Sequence, residues 1–431
     1  MAVTWPPSLW AHVSPPGPDL PELDGPQETE VAVIGAGFTG LATAIHLREM
    51  GVPVTVVEAA EPGWGASGRN NGQVIPTLSR HDPAALIARH GAAGERFVHV
   101  LRDSASTLFD LVRRHGIEAE AEQAGWIQPV HSPGRMKIAE RRVKDWGSHG
   151  APVELLDAAR MREVLGSDAW FGGWSNPTGG HINPLMLARG MARAALSLGA
   201  TVFARSPALS VEHRDGRWVV TTARGTLRAR ALVMATNAYT GEFAPKLAPD
   251  IAHEVVPVLS WQMATQPVSH NVAATIIPGR QAMSDTHGEL YFARWDARGR
   301  LVTGGAVAVP VNQAERLKPT IAARLQRLWP QIGEVSFDHV WSGYVGMTRD
   351  YFPKLHRIGP DGFAWAGCNG RAVALSVALG REFARAVQGV PEQELGLPFT
   401  EPEPLPFHAL ARRGATLMLM LYRWRDAREV A

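Results

Sequence analysis

The stretch Val31-Ala-Val-Ile-Gly35-Ala-Gly37-Phe38-Thr39-Gly40 most restricts what this chain can fold into. A β-branched run stops at a Gly-x-Gly-x-x-Gly. Glu30 to Ile34 reads as a buried parallel strand, Leu41 to Met50 suits a helix, and Val54 to Val57 is a second strand. Together they make a βαβ unit of roughly thirty residues that closes on Glu58. Gly35 permits the tight turn, and Gly37 lets a pyrophosphate approach the helix N-terminus, where free N–H groups and the helix dipole favour anions. Gly40 lets helix and strand pack closely. Phe38 and Thr39 lie between these glycines in the cofactor-facing set, and Glu58 suits a ribose 2′-hydroxyl. The competing reading is a Gly-rich turn in another kind of α/β protein.

Residues 61–73, Glu-Pro-Gly-Trp-Gly65-Ala66-Ser67-Gly68-Arg69-Asn70-Asn71-Gly72-Gln73, are too rich in Gly and small polar residues for strand or helix. They read as a loop whose backbone lies against a ligand. A nicotinamide dehydrogenase usually returns from the ribose acid to regular αβ repeats, whereas here a long polar loop follows at once.

This loop resembles that of FAD-dependent oxidoreductases of the D-amino-acid oxidase (glycine/sarcosine oxidase-like) superfamily, in particular the gamma-glutamylputrescine oxidase-like branch. The resemblance implies that the loop runs along the pyrophosphate and reaches the isoalloxazine, which places Gly65, Ala66, Ser67, Gly68, Arg69, Asn70 and Gln73 at the cofactor. Asn71 stands where the branch usually has a second Gly. Ala235-Thr236-Asn237-Ala238-Tyr239 resembles the family segment beside the adenine half of FAD. Gly367-Cys-Asn369-Gly370-Arg371-Ala372 resembles the helix start used for the flavin's pyrimidine end, with Ala372 replacing a common Gly, and Gly343 joins the same set. There the helix dipole stabilises the negative charge that reduced flavin carries near N1. His181 matches a family Gly-His-x-x-Pro, and both a structural and a catalytic role are open to it.

The fold class implied is α/β with an α+β substrate domain. A Rossmann-type FAD-binding domain of the glutathione-reductase kind is interleaved with a mixed-sheet substrate domain. The FAD-binding domain takes 30–80, 176–240 and 337–395, and the substrate domain 81–175 and 241–336. Residues 1–29 form an N-terminal arm, and 396–431 a C-terminal helical tail.

The element pattern fits. Helices are predicted over 93–115, 134–146, near 155–165, from Pro184 (capped by Asn183) to Leu198, and over 313–329. A strand meander over 209–234 turns at Asp215-Gly216 and Arg224-Gly225. Further strands are predicted over 253–265, 289–294, 300–304 and 362–366, and the last leads into a helix ending near Gln388.

The chain has 431 residues, 45% of them hydrophobic, long enough for two domains with a substantial core. Its 43 basic and 41 acidic residues give +2, which excludes a general attraction to nucleic acid or anionic lipid. The lone Cys368 excludes internal disulfides and thiolate-rich metal sites, and the histidines lack ligand spacing, so no metal is expected. We expect a cytoplasmic protein without a signal peptide. The apolar part of the tail, Gly414 to Tyr422, is too short to span a bilayer. Docking on its own protein or a partner subunit competes with a helix lying in a membrane surface between Arg412, Arg413, Arg423, Arg425 and Arg428.

The resemblance implies oxidation of the C–N bond of an amine or N-substituted amino acid to an imine, with O2 reoxidising the flavin and H2O2 released. A dehydrogenase passing electrons to a quinone or carrier protein is the alternative, and a non-catalytic FAD-binding subunit a third class. FAD is expected to be held without a covalent bond: relatives with a linking Cys carry it in the stretch resembling Tyr344-Val345-Gly346, and those with a linking His in the stretch resembling Gly65-Ala66-Ser67. Substrate-side candidates are Arg69, Asn70 and Gln73 on the loop, Tyr291 and Arg294 on a roofing strand, and Trp341, Tyr344 and Thr348. In the glycine oxidase branch an arginine that binds the substrate carboxylate stands where this chain has Val345. The substrate is therefore expected to carry its recognition group away from the reacting carbon, as in a γ-glutamyl polyamine or a methylaminobutyrate, with Arg294 as anchor.

Overall fold

The computed structural model describes residues 4–306, 311–414 and 418–430. Within it two eight-stranded sheets carry the molecule. The first is built on Gly25–Ile34, which pairs in parallel with Val54–Val57 on one side and Gly225–Met234 on the other. Thr201–Phe203 extends it beyond Val54–Val57, and Gly362–Ala366 with Lys354–Gly359 beyond Gly225–Met234. Val31 to Ile34 are buried on both faces, as a central parallel strand between helix layers must be. Helix Phe38–Glu49 packs on Val373–Val387 through small residues, for a Cβ added at Gly380 would run into Ala42 and the Thr39 carbonyl.

The meander forms as predicted. Ser210–Arg214, Arg217–Thr221 and Gly225–Met234 pair antiparallel, and Asp215 and Gly216 both take positive φ in the connecting hairpin turn. Asn183 caps Pro184–Ser197, its Oδ1 accepting from Met186 N–H.

Three boundaries move. The strand expected from Glu30 begins at Gly25, because Gly25 to Thr29 ladder against Gly225 to Ala229 although their side chains are polar and largely exposed. The helix expected from Ala93 begins at Pro83 and is broken at Gly91, whose φ of 56° and ψ of −134° interrupt an otherwise continuous Pro83–Arg114. Phe337–Met347, expected in the FAD-binding domain, pairs along Val256–Thr265 instead, so the second sheet extends past residue 336.

That second sheet runs in the order Phe337–Met347, Val256–Thr265, Leu301–Gly305, Phe292–Trp295, Ala282–Ser284, Trp126–Pro129, Gly173–Asn176 and Glu154–Leu156. Helix Gln313–Leu328 covers one face with Leu317, Ile321, Leu325 and Leu328. A two-stranded ribbon, Gln73–Val74 with Gly180–His181, lies at the end of the glycine-rich loop.

The N-terminal arm is tied down rather than trailing. Ser8 caps the short helix Leu9–Val13, and Leu9 and Trp10 are fully buried. Trp10 Nε1 donates to the Asn70 carbonyl at 2.8 Å, and Trp64 Nε1 donates back to the Thr4 carbonyl at 3.0 Å.

The tail forms helices His408–Gly414 and Met418–Val430. Residues 415–417 of the predicted apolar stretch lie outside the described residues. No helix among the described residues is long and apolar enough to cross a membrane.

Candidate active site

A cleft of about 1270 Å³ opens at the C-terminal ends of the parallel strands, where a doubly wound sheet offers its ligand crevice. Of the predicted cofactor residues, Gly35, Gly37, Phe38, Thr39 and Glu58 line it from the first βαβ unit, and Gly65, Ala66, Ser67 and Asn70 from the loop. Ala235, Thr236 and Asn237 form a third wall, and Gly370 and Ala372 a fourth. The turn is built as its spacing requires: Gly35 has φ +102°, and a Cβ at Gly40 would overlap the Gly35 carbonyl.

Glu58 does more than face the cleft. Its Oε2 accepts from Ala36 N–H at 2.6 Å and its Oε1 from Ala60 N–H at 2.9 Å. Burial pushes this carboxyl up, and the backbone N–H groups pull it back part of the way. Ser67 Oγ accepts from Phe38 N–H at 3.0 Å, so the loop caps the helix that follows the glycine turn.

The cleft fits FAD by its polar remainder. Thr39 and Trp365 line it, and Thr39 Oγ1 and Trp365 Nε1 are buried without a hydrogen-bond partner. An isolated buried donor costs about 1–3 kcal/mol unless a ligand satisfies it.

Other predicted residues take different places. Gly68 packs against Gly63 and Leu185. Gly367 N–H donates to Asn237 Oδ1, and Asn369 Oδ1 accepts from Thr348 N–H at 2.9 Å, tying the loop before Val373–Val387 to its neighbours. Asn71 Oδ1 accepts from Gln73 N–H at 3.0 Å, closing an Asx turn.

A second cavity, about 1020 Å³, shares the wall formed by Ala66, Asn70, Tyr344, Val345, Gly370 and Ala372 with the cleft. Arg69, Gln73, Gly343 and Arg371 line it from the predicted set.

The chain matches the family of FAD dependent oxidoreductases (DAO) over residues 30–386. It belongs to this family. The DAO-family chain is 29% identical over 366 residues to gamma-glutamylputrescine oxidoreductase of Escherichia coli K12, covering 84% of each. Its fold is that of glycine oxidase from Geobacillus kaustophilus, with TM-score 0.70 and 21% identity over 85% of this chain and 96% of that one. L-proline dehydrogenase from P. horikoshii shares the fold at TM-score 0.71, with 19% identity over 86% and 96%. The protein is thus an FAD-dependent oxidoreductase acting on amines or amino acids.

The substrate-side candidates divide. Gln73 lines the second cavity and is held by Nε2 donating to the Met283 carbonyl at 2.9 Å, while its Oε1 is buried without a partner. Tyr344 lines both that cavity and the cofactor cleft. Arg69 is folded back, its Nε donating to the Trp64 carbonyl at 2.7 Å and its guanidinium 4.3 Å from the Trp64 ring. Asn70 is consumed within the loop, donating to the Ala66 and Ser67 carbonyls and accepting from Gly72 N–H.

Arg294 is corrected from anchor to framework. It is 1% exposed and lines neither the cleft nor the second cavity. Its three nitrogens donate to the Asn71, Trp295 and Ile182 carbonyls, and its guanidinium lies over Trp10. Tyr291 is also turned away. Leu290 and Phe292 line the cavity and Tyr291 does not; its ring stacks on His287 at 3.9 Å and lies under the Arg324 guanidinium at 3.7 Å. Trp341 is buried and donates to the Arg69 carbonyl at 2.8 Å, and Thr348 is bonded to the Phe352 carbonyl.

His181 is buried, its Nε2 placed at 3.0 Å from the Arg280 carbonyl; burial, then the nearby Arg294, hold it well below the usual histidine range. It is neutral, it lines neither cavity, and its strand pairing with Gln73 is its visible work.

Several site residues escaped the sequence reading. Phe243, Ala244 and Leu247 line the cleft from a segment assigned to the second insertion, and Gln262, Ser284 and Glu289 line the second cavity from the roofing sheet. Gln262 Oε1 is buried without a partner, like that of Gln73. The strand pattern carried a signal for Gln262 alone, a polar residue inside an apolar run.

Proposed function

We propose that this protein oxidises the C–N bond of an amine whose recognition group lies away from the reacting carbon, with O2 as electron acceptor and H2O2 released. The observation that carries the reading is the second cavity, which adjoins the cofactor cleft: Gln73 and Gln262 line it, and the side-chain oxygen of each is buried without a partner. Such acceptors suit the N–H groups of an amine and hold its carbon against the shared wall.

FAD, which this reading takes to be held without a covalent bond, would supply the hydride acceptor when bound. The chain's own part is positional. Gln73 and Gln262 bind the amine nitrogen, Tyr344 and Val345 set the distance at the shared wall, and the roofing strands exclude water until the imine forms and is released for hydrolysis. Val345 offers no charge to a carboxylate on the reacting carbon, which argues against small α-amino acids as the preferred substrates. The cleft roles of Gly37, Glu58, Ser67, Thr236 and Ala372 toward FAD belong to the same reading, as does a cytoplasmic location.

A second reading, a dehydrogenase serving a quinone or carrier protein, is favoured by the tail. Phe407 is 83% exposed and Leu410 69%, beside Arg412 and Arg413, a surface suited to docking.

Mixing the FAD-loaded protein with a panel of N-methyl amino acids, acylated diamines and small α-amino acids, while recording flavin bleaching and oxygen uptake, separates the readings. Oxidase activity predicts bleaching without air and stoichiometric oxygen uptake with it. Bleaching without uptake selects the dehydrogenase, and a wide kcat/KM preference for glycine or a D-amino acid overturns the remote-recognition reading.

A further inference from the structure

A third and larger chamber, about 1790 Å³, continues from the second cavity; Leu290, Gly370 and Arg371 line both. Arg80, Arg135, Arg141, Arg142, Arg349 and Arg371 stand in its wall. Some of this charge is answered locally. Arg141 and Arg142 share Asp82 at 3.1 and 2.9 Å, and Arg135 holds Glu429. Asp285, the carboxylate in the wall, is taken up by His287 and by the His287 and Tyr291 N–H groups.

No ion pair with a described carboxylate answers Arg80, Arg349 or Arg371. Arg80 lies over the Tyr351 and Tyr422 rings instead. Arg371 is the telling one. It is 4% exposed, its Nη1 donates to Thr77 Oγ1 and the Leu78 carbonyl at 3.2 Å, and its buried Nε has no partner. Burial first, then Arg142 and Arg80, oppose its charge, Asp82 supports it only in part, and its guanidinium lies 4.8 Å from the Trp126 ring. A guanidinium taken out of water among like charges costs several kcal/mol unless an anion meets it.

We propose that Arg371, with Arg80 and Arg349 farther out, receives a carboxylate carried by the substrate beyond its reacting C–N bond. The substrate class is then an amine with a remote acid group, its nitrogen at Gln73 and Gln262 and its carboxylate in the arginine chamber. This rests on the reading of the second cavity given above and assigns the recognition group. Arg371 stands between Gly370 and Ala372, both on the wall of the cofactor cleft, so an anion bound there perturbs the flavin spectrum.

The test uses the FAD-loaded full chain and four probes: butyrate, glutarate, inorganic phosphate and the neutral butyramide. The carboxylates should shift the flavin absorbance saturably and weaken with added salt, and butyramide should not. Arg371→Gln should weaken glutarate by about thirty-fold or more, the scale of a charged partner lost from a desolvated pair. If that variant fails to hold flavin, Arg80→Gln and Arg349→Gln, at exposed positions on the chamber wall, should each weaken glutarate several-fold. Absence of any carboxylate effect on the wild-type flavin, or equal affinity in every variant obtained, overturns the proposal, and phosphate outcompeting both carboxylates overturns the carboxylate assignment. Bleaching by an amine without a carboxylate effect sinks this inference alone. Carboxylate binding without bleaching by any amine in the panel leaves it standing and tells against the amine reading.

Discussion

Glu58 and Gly37 show how one residue can serve turn and cofactor together. Glu58 ties Ala36 to Ala60 through its two oxygens and lines the cleft. Glu58→Ala should weaken FAD by about 1–3 kcal/mol, the cost of unmade bonds to a charged acceptor. A Cβ at Gly37 would stand 2.9 Å from Ser67 Oγ, so Gly37→Val pushes the loop from the helix N-terminus and should give folded protein with little flavin. Flavin released by acid from the purified proteins measures both effects, with circular dichroism to confirm folding. Full release from the wild type with colourless peptide is the expected sign of a non-covalent cofactor, and flavin retained by both variants would remove the first βαβ unit from cofactor binding. At this scale the motif residues were legible because a steric rule selects them. Arg294 was not: polarity shows in a sequence, but the three carbonyls that hold it, one on each side-chain nitrogen, come from residues 71, 182 and 295.

Among the elements, the N-terminal arm had the least signal and has a definite place. A five-residue helix has no stability of its own, yet Leu9–Val13 inserts Trp10 against Trp341 at 5.7 Å and under the Arg294 guanidinium. Trp10 and Trp341 donate to the Asn70 and Arg69 carbonyls, so two indoles fix successive peptides of the loop. Trp10→Phe should cost about 1 kcal/mol of stability for one hydrogen bond. Trp10→Ala should cost about 3–5 kcal/mol and loosen the loop, seen as a lower melting temperature and faster flavin loss on dilution. Unchanged flavin retention in Trp10→Ala would make the arm a packing element only. The core strands and the capped helices were readable from apolar periodicity. The early half of Gly25–Ile34 and the strand Phe337–Met347 were misjudged because backbone pairing, not side-chain burial, holds polar and glycine-bearing stretches in a sheet.

Across the whole molecule, segments distant in sequence meet at His131. Its ring stacks on His287 at 3.9 Å, its Nδ1 lies 2.9 Å from Thr286 Oγ1, and Glu429 of the tail stands 3.6 Å from its Nε2. Arg135 binds the same Glu429, and Asp426 accepts from Gly288 N–H at 2.8 Å, so the tail is pinned across both insertions. No local pattern announces such a junction, because each partner is an ordinary polar residue until the chain is folded. Burial lowers His131 to about 4, helped by His287 and Arg135 and opposed by Asp285 and Glu429. Glu429 is held below the usual carboxylate range first by its bond to Arg135. The unfolded chain takes up this proton near 6.5, well before the folded one does. The neutral imidazole therefore contributes stability that is complete above pH 6.5 and is lost as the pH falls through that value toward about 4. Thermal melting of His131→Gln, which cannot take up the proton, should fall less steeply over this window than that of the wild type. Parallel slopes for the two proteins would place the acid sensitivity at other groups and leave His131 as packing.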